Sequence, residues 1–64
     1  MKYQALYNDK KFIIEDDVPE IGTYLYIFKD EICIKDYLQN NVKECKKFAL
    51  REYGVPADAW QKVA

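Results

Sequence analysis

The clearest strand signal is the segment TYLYIF, residues 23–28, in which tyrosines alternate with aliphatic residues. Such alternation is typical of a strand with one buried face, and all six residues favour the pleated backbone of a sheet. A short polar connection, KDE, follows at residues 29–31, and ICIKDYL at residues 32–38 resumes the strand pattern. The sequence therefore predicts a β-hairpin over residues 23–38.

A second hairpin is predicted earlier in the chain. KYQALY, residues 2–7, places Tyr and Ala on one side of an extended backbone and Lys, Gln and Leu on the other. Asn8 and Asp9 suit a tight turn. KFIIE, residues 11–15, is rich enough in β-branched and aromatic residues to return as a strand.

The two hairpins are joined by DDVPEIG, residues 16–22, which we interpret as a loop. Pro19 has no N–H to donate to a sheet, and Gly22 permits a sharp turn. We therefore predict a four-stranded antiparallel sheet. A three-stranded sheet, with residues 8–22 irregular, is the alternative.

The helix signals lie after the sheet. Asn41 can cap a helix that runs from about residue 42 to residue 53, and Glu44 three residues later resembles the second position of a capping box. Gly54 stands where a left-handed residue ends a helix, and Pro56 prevents continuation. One apolar stripe of this helix consists of Val42, Cys45, Ala49 and Tyr53, with Phe48 at its flank.

These elements predict a single small α+β domain over residues 1–64, with the helix packed on one face of the sheet. The segment PADAWQK, residues 56–62, follows the helix and is expected to form a short terminal helix or a single turn. A left-handed Gly54 reverses the chain, so we expect Trp60 to return towards the domain and to cover an edge of the core.

The two faces of the predicted sheet carry different side chains. Leu25 and Ile27 alternate with tyrosines along the third strand, and Lys35 and Tyr37 share a side of the fourth. Burial of an unpaired lysine is costly, so we expect the side with Lys35 to face solvent. The aliphatic side, which would face the helix, is Leu25, Ile27, Ile32, Ile34 and Leu38, and the predicted tyrosine face is Tyr24, Tyr26 and Tyr37.

A tyrosine face can simply be solvated, because the hydroxyl group tolerates water. Tyrosine is also enriched at recognition surfaces. We interpret the tyrosine face as a surface for another protein or for self-association. Acidic residues are concentrated in the first half of the chain, and the acidic loop of Asp16, Asp17 and Glu20 is a second candidate contact, suited to a basic partner.

The helix carries a basic ridge, Lys43, Lys47 and Arg51, whose members are spaced four residues apart. The ridge suggests an alternative function, the binding of a small molecule or an anion. Nucleic acid binding is disfavoured, because the formal net charge of the chain is −1.

Catalysis is disfavoured by missing residue types. The chain has no histidine and no serine, so the commonest general base and a serine nucleophile are both absent. Two glycines leave no glycine-rich phosphate loop. Cys33 and Cys45 lack a CxxC spacing, and we expect two free thiols on opposite sides of the sheet. We therefore expect a protein that is not an enzyme, with no cofactor and no metal.

No apolar run approaches the length of a membrane span, and MKYQALYND lacks the apolar core of a signal peptide, so we expect a cytoplasmic location. The strand YLYIF, the strand end KDYLQN, the helix CKKFALREYGVP and the tail ADAW together resemble short bacterial α+β proteins of no assigned activity. The resemblance covers roughly the last two thirds of the chain. It implies a stand-alone small α+β protein, and it implies no catalytic residues.

Overall fold

The structure is a computed structural model that describes residues 1–18 and 22–63. Within these ranges, five strands form one antiparallel sheet and one α-helix packs on one side of it. The strands are β1 (Lys2–Tyr7), β2 (Lys10–Val18), β3 (Gly22–Lys29), β4 (Ile32–Gln39) and β5 (Gln61–Lys62), and the helix is α1 (Val42–Tyr53).

The spatial order of the strands is β4-β3-β2-β1-β5. The predicted α+β class is confirmed, and so are the four strands that form two hairpins. The alternative with only three strands is wrong, because β2 is continuous as far as Val18. The short strand β5 is an addition to the predicted sheet.

Two tight turns fix the registers of the hairpins. Asn8 and Asp9 have φ angles of 54° and 64°, and Asp30 and Glu31 have φ angles of 53° and 66°. Positive φ at both central residues is typical of type I′ turns, whose twist matches that of the flanking strands. Each turn therefore closes its hairpin with a two-residue connection.

The ends of α1 follow the predicted capping. The Asn41 side-chain oxygen accepts a hydrogen bond from the Glu44 backbone N–H at 2.9 Å. Gly54 adopts a left-handed conformation with a φ angle of 74°, and its N–H donates to the Leu50 carbonyl at 3.0 Å. The predicted helix bounds, residues 42–53, are confirmed.

The core lies between the sheet and α1. It contains side chains from β1, β2, β3 and the helix, together with Val55 from the segment after the helix. Its members are Ala5, Phe12, Ile14, Leu25, Ile27, Cys45, Ala49 and Val55. The predicted inward direction of Leu25 and Ile27 is confirmed.

The predicted faces of β4 are wrong. Ile27 stands opposite Lys35, whereas the next residue, Phe28, stands opposite Cys33, so Ile34 is an extra residue in β4. A bulge of one residue reverses the direction of every side chain beyond it. Lys35 and Tyr37 consequently lie on the helix side, and Leu38 lies on the other side, where it is exposed instead of buried. Ile34, the extra residue, and Ile32, which precedes the bulge at the start of the strand, are also exposed instead of buried.

The presence of Lys35 does not identify which side of the sheet faces solvent, because β4 is an edge strand. Lys35 stands opposite buried Ile27 but is itself exposed, so its position on the helix side brings no desolvation cost. Tyr37, two residues later, is half-buried, and its ring centroid lies 4.4 Å from that of Phe48 in α1. The helix therefore covers the second half of β4 and leaves Lys35 in solvent.

The tail returns to the domain, as predicted for Trp60. Ala57–Ala59 forms a single 3₁₀ segment, and β5 then pairs with β1. Trp60 is half-buried, and its ring packs edge-on to Phe12 with 6.5 Å between centroids. Trp60 is therefore a closing side chain at the edge of the core.

Candidate functional site

The candidate site is the side of the sheet that faces away from α1, which we call the open face. Residues directly opposite one another in adjacent antiparallel strands point to the same face. The registers therefore define three rows across the open face: Leu6–Lys11–Phe28–Cys33, Gln4–Ile13–Tyr26–Asp36 and Lys2–Glu15–Tyr24–Leu38.

An aromatic strip lies along β3 on this face. The rings of Tyr24 and Tyr26 are stacked, with 5.7 Å between centroids and 14° between planes. Phe28 continues the strip, and the Lys11 ammonium lies 5.7 Å from its ring centroid. Alternation within β3 places these three rings on one side of the strand, so their juxtaposition follows directly from the local sequence.

The strip borders a shallow depression of about 540 Å³ over β1 and β2. Ile13 lies in this depression and is only 8% exposed, because its neighbours in the sheet cover most of it. Leu38, in the row of Tyr24, is 52% exposed. The depression is lined by Lys2, Gln4, Lys11, Ile13, Glu15, Tyr26, Phe28 and Val63.

Charges of both signs surround the apolar part of the face. Lys2 and Glu15 form an ion pair with 3.5 Å between nitrogen and oxygen. The pKa of Tyr26 is raised, chiefly by partial burial and then by the Glu15 carboxylate and other nearby groups. The Tyr26 hydroxyl is therefore protonated at neutral pH and can donate a hydrogen bond.

The structure brings together only part of the predicted tyrosine face. Tyr24 and Tyr26 are on the open face, as expected. Tyr37 is on the opposite side of the sheet, where its hydroxyl oxygen lies 3.0 Å from that of Tyr53. The placement of Tyr37 on a solvent-facing surface is therefore wrong, because the bulge in β4 turns its side chain towards the helix.

The acidic loop does not join the open face in the described residues. Asp16 points to the helix side, where a carboxylate oxygen accepts a hydrogen bond from the buried Thr23 hydroxyl at 3.1 Å. The side chain of Asp17 and the whole of Glu20 lie outside the part of the chain that the structure describes. The Asp16 side chain is therefore engaged within the domain. Binding of a basic partner by the acidic loop stays a prediction.

The basic ridge is exposed, and two of its three cations lie beside carboxylates. Lys47 is 3.7 Å from Glu44, and Arg51 is 3.1 Å from Glu52. The Arg51 guanidinium also lies 5.6 Å from the Phe48 ring centroid. Lys43 and Lys47 border the same surface hollow, whereas Arg51 does not, so the three do not form one site.

Most residues of the open face are absent from the sequence-predicted site, among them the apolar residues Ile13, Phe28 and Leu38. Phe28 alternates with Leu25 and Ile27, so the signal for its placement is present in the strand pattern. Ile13 lies between Phe12 and Ile14, whose burial sends it to the other face. The sequence gives no signal that places Leu38 on the open face, because the direction of its side chain depends on the bulge in β4.

Cys33 is exposed and Cys45 is buried, and both are free thiols. The Cys45 thiol donates to the Thr23 carbonyl at 3.7 Å, and burial raises its pKa to about 11. A thiol with a raised pKa is a poor nucleophile at neutral pH. In residues 1–18 and 22–63, no group of three or more His, Cys, Asp or Glu side chains is placed to hold a metal ion.

No helix in the described part of the chain has the length and apolarity needed to cross a membrane. No protein-family model, no curated protein and no solved structure matches the chain.

Proposed function

We propose that this protein is a non-catalytic binding module that contacts another protein through the open face. The observation that carries the proposal is the arrangement of that face, in which Ile13 and the aromatic strip are bordered by amide and charged groups, with Leu6, Cys33 and Leu38 at the ends of the rows. Protein interfaces have the same anatomy, with an apolar, aromatic-rich centre inside a polar rim.

The centre of the face supplies groups that contribute strongly to binding. Tyrosine rings offer a large contact area with few rotatable bonds, and they are enriched among the residues that dominate interface energies. Tyr24 and Tyr26 hold each other in place by stacking, so little side-chain freedom remains to be lost on association.

The rim supports a protein partner over a nucleic acid. Lys2 and Lys11 are balanced by Glu15 and Asp36 in the same three rows, and the net charge of the chain is −1. A nucleic-acid surface needs an excess of positive charge to displace counterions from phosphates. Balanced charges are suited to a protein surface with complementary charges of both signs.

The test uses two exposed aliphatic residues of the same strand. A photo-crosslinking phenylalanine analogue replaces Leu38, which is 52% exposed on the open face, or Ile32, which is 66% exposed outside it. We expect irradiation in the native lysate to yield a discrete adduct from position 38 and none from position 32.

The adduct from position 38 is then challenged with excess unlabelled protein. Wild-type protein should abolish it, whereas the Tyr26→Glu variant should compete weakly, because a charge now occupies the centre of the face. The mass of the adduct separates a different protein from a second copy of this chain. Equal labelling from both positions, or equal competition by the variant, contradicts the proposal.

A further inference from the structure

A second surface of different character lies on the other layer of the molecule. Between α1 and the 3₁₀ segment is a shallow hollow of about 380 Å³. It is lined by Val42, Lys43, Lys46, Lys47, Leu50 and Ala57. The open face is on the opposite side of the sheet, so this hollow is independent of it.

The base of the hollow is apolar. Val42, Lys46 and Leu50 follow one another at intervals of four residues, so they lie along one side of the helix. Leu50 is 53% exposed although it is the largest aliphatic side chain of α1. Ala57 borders the hollow from the 3₁₀ segment.

The rim of the hollow is cationic. The Lys46 ammonium lies 4.7 Å from the Tyr3 ring centroid, and this contact holds the lysine stem across the helix flank. Lys47 is 3.7 Å from Glu44, and Lys43 has no ion-pair partner among the described residues. The three lysines that line the hollow, together with the Glu44 carboxylate beside Lys47, carry a local excess of two positive charges.

We propose that this hollow binds a small amphipathic anion, in which an apolar tail carries a carboxylate. The volume falls within the range of about 300–1,000 Å³ that is usual for small-molecule sites. The tail would contact Val42, Leu50 and Ala57, and the carboxylate would interact with the ammonium groups at the rim. An inorganic anion has no apolar group to contact the base of the hollow. A cationic amphiphile is repelled by the lysines of the rim.

The probe is decanoate, added below its micelle concentration to ¹⁵N-labelled protein at neutral pH. We expect saturable amide shifts in α1 between Val42 and Leu50 and at Ala57, with small shifts on the open face. Acetate at the same concentration tests the carboxylate alone, and decyltrimethylammonium tests the tail with the opposite charge. Both should produce markedly smaller shifts at these positions.

Two pairs of variants test the contacts. Leu50→Gln should weaken decanoate binding by about tenfold, whereas Leu6→Gln, a change at the 68%-exposed leucine of the open face, should leave it unchanged. Lys43→Gln should weaken it by about two- to fivefold, whereas Lys29→Gln should not. All four positions are exposed, so the variants are expected to keep the wild-type pattern of dispersed amide signals.

Three outcomes overturn the proposal. Equal shifts from decanoate and decyltrimethylammonium would show that the rim does not select an anion. Unchanged binding by Leu50→Gln would show that the tail does not lie in the hollow. Amide shifts centred on Ile13 and Tyr26 would place the amphiphile on the open face. The crosslinking experiment tests protein binding by the open face independently of this result.

Discussion

The hydroxyl oxygens of Tyr37 and Tyr53 lie 3.0 Å apart and join the edge strand β4 to the last turn of α1. Each ring also packs against a further aromatic side chain. Tyr37 lies against Phe48, and Tyr53 lies edge-on to Phe12 with 5.5 Å between centroids. The hydroxyl contact thus links two aromatic pairs and holds the outer strand against the helix.

We expect Tyr37→Phe and Tyr53→Phe each to lower the free energy of unfolding by about 1 kcal/mol, because each leaves the other hydroxyl without its partner. The double variant should lose less than the sum of the two single losses, with a coupling energy of about 0.5–1.5 kcal/mol. Urea denaturation of the four proteins measures the cycle. Tyr24→Phe, at an exposed position of the open face, is the control and should be neutral. Strict additivity would contradict the contact.

Stability is expected to fall at alkaline pH. The Cys45 pKa is raised from its ordinary value of 9.0 to about 11, first by burial and second by the Asp16 carboxylate. The Tyr53 pKa is raised from 10.0 to about 12, chiefly by the hydrogen bond with Tyr37. In both cases the folded protein retains a proton that the unfolded chain releases, so folding becomes less favourable as pH rises.

The contribution of Cys45 is therefore complete below about pH 9 and is lost as the pH rises through about 11. Urea denaturation at a series of pH values should show a declining free energy of unfolding over this interval. Cys45→Ala should have a shallower decline, whereas Cys33→Ala, at the exposed cysteine, should keep the wild-type slope. Identical slopes for all three proteins would rule out Cys45 as the source.

Trp60→Ala should destabilise the fold by about 3 kcal/mol, the lower end of the range found for large buried aromatics, because the ring is half-buried. Its ring covers Phe12, and its indole nitrogen is buried without a hydrogen-bond partner in the described residues. Trp60→Phe should therefore cost less, because it retains part of the ring contact and removes an unpaired donor. Guanidinium denaturation followed by circular dichroism measures both, with exposed Leu6→Ala as the neutral control. A midpoint unchanged in Trp60→Ala would show that the tail does not contribute to the core.

The free edge of β4 is protected by charge. If two copies paired antiparallel through this strand, a register centred on Lys35 or on Asp36 would place like charges directly opposite each other, which is destabilising. Lysines and bulges on edge strands commonly prevent such pairing. We expect Lys35→Ile to produce a dimer whose fraction rises with concentration in sedimentation velocity. Lys29→Ile, on the interior strand β3, should remain at the wild-type mass. A monomeric Lys35→Ile would show that the charge is not what keeps the edge unpaired.

The parts of the fold that are predictable from the sequence are those with local causes. Asn41 caps α1 through a residue three positions away, and Gly54 ends it by its own conformation. The alternation of β3 requires only that one face be buried. For the same reason the strand pattern by itself places Tyr24 and Tyr26 on the open face.

The errors arise from contacts between distant segments. The bulge at Ile34 depends on how β4 pairs with β3, and no residue type near it signals an insertion. β5 has only two residues, and a segment this short carries no periodic pattern in its sequence. Its pairing partner is the start of β1, at the other end of the chain. Ile13 can be assigned to the open face only once Phe12 and Ile14 are known to face the helix, because all three consecutive residues are apolar.

The short strand β5 has a consequence for how the sheet can extend. Its residues Gln61 and Lys62 occupy the outer side of β1 at Tyr3 and Gln4, and the Val63 N–H donates to the Lys2 carbonyl at 2.8 Å. Linear polymers of sheets require two edges able to accept a strand, one for each direction of growth. In the described residues only β4 offers a long free edge. Two copies paired through β4 would expose only their short β5 edges, so strand pairing between copies of this protein would end at a dimer.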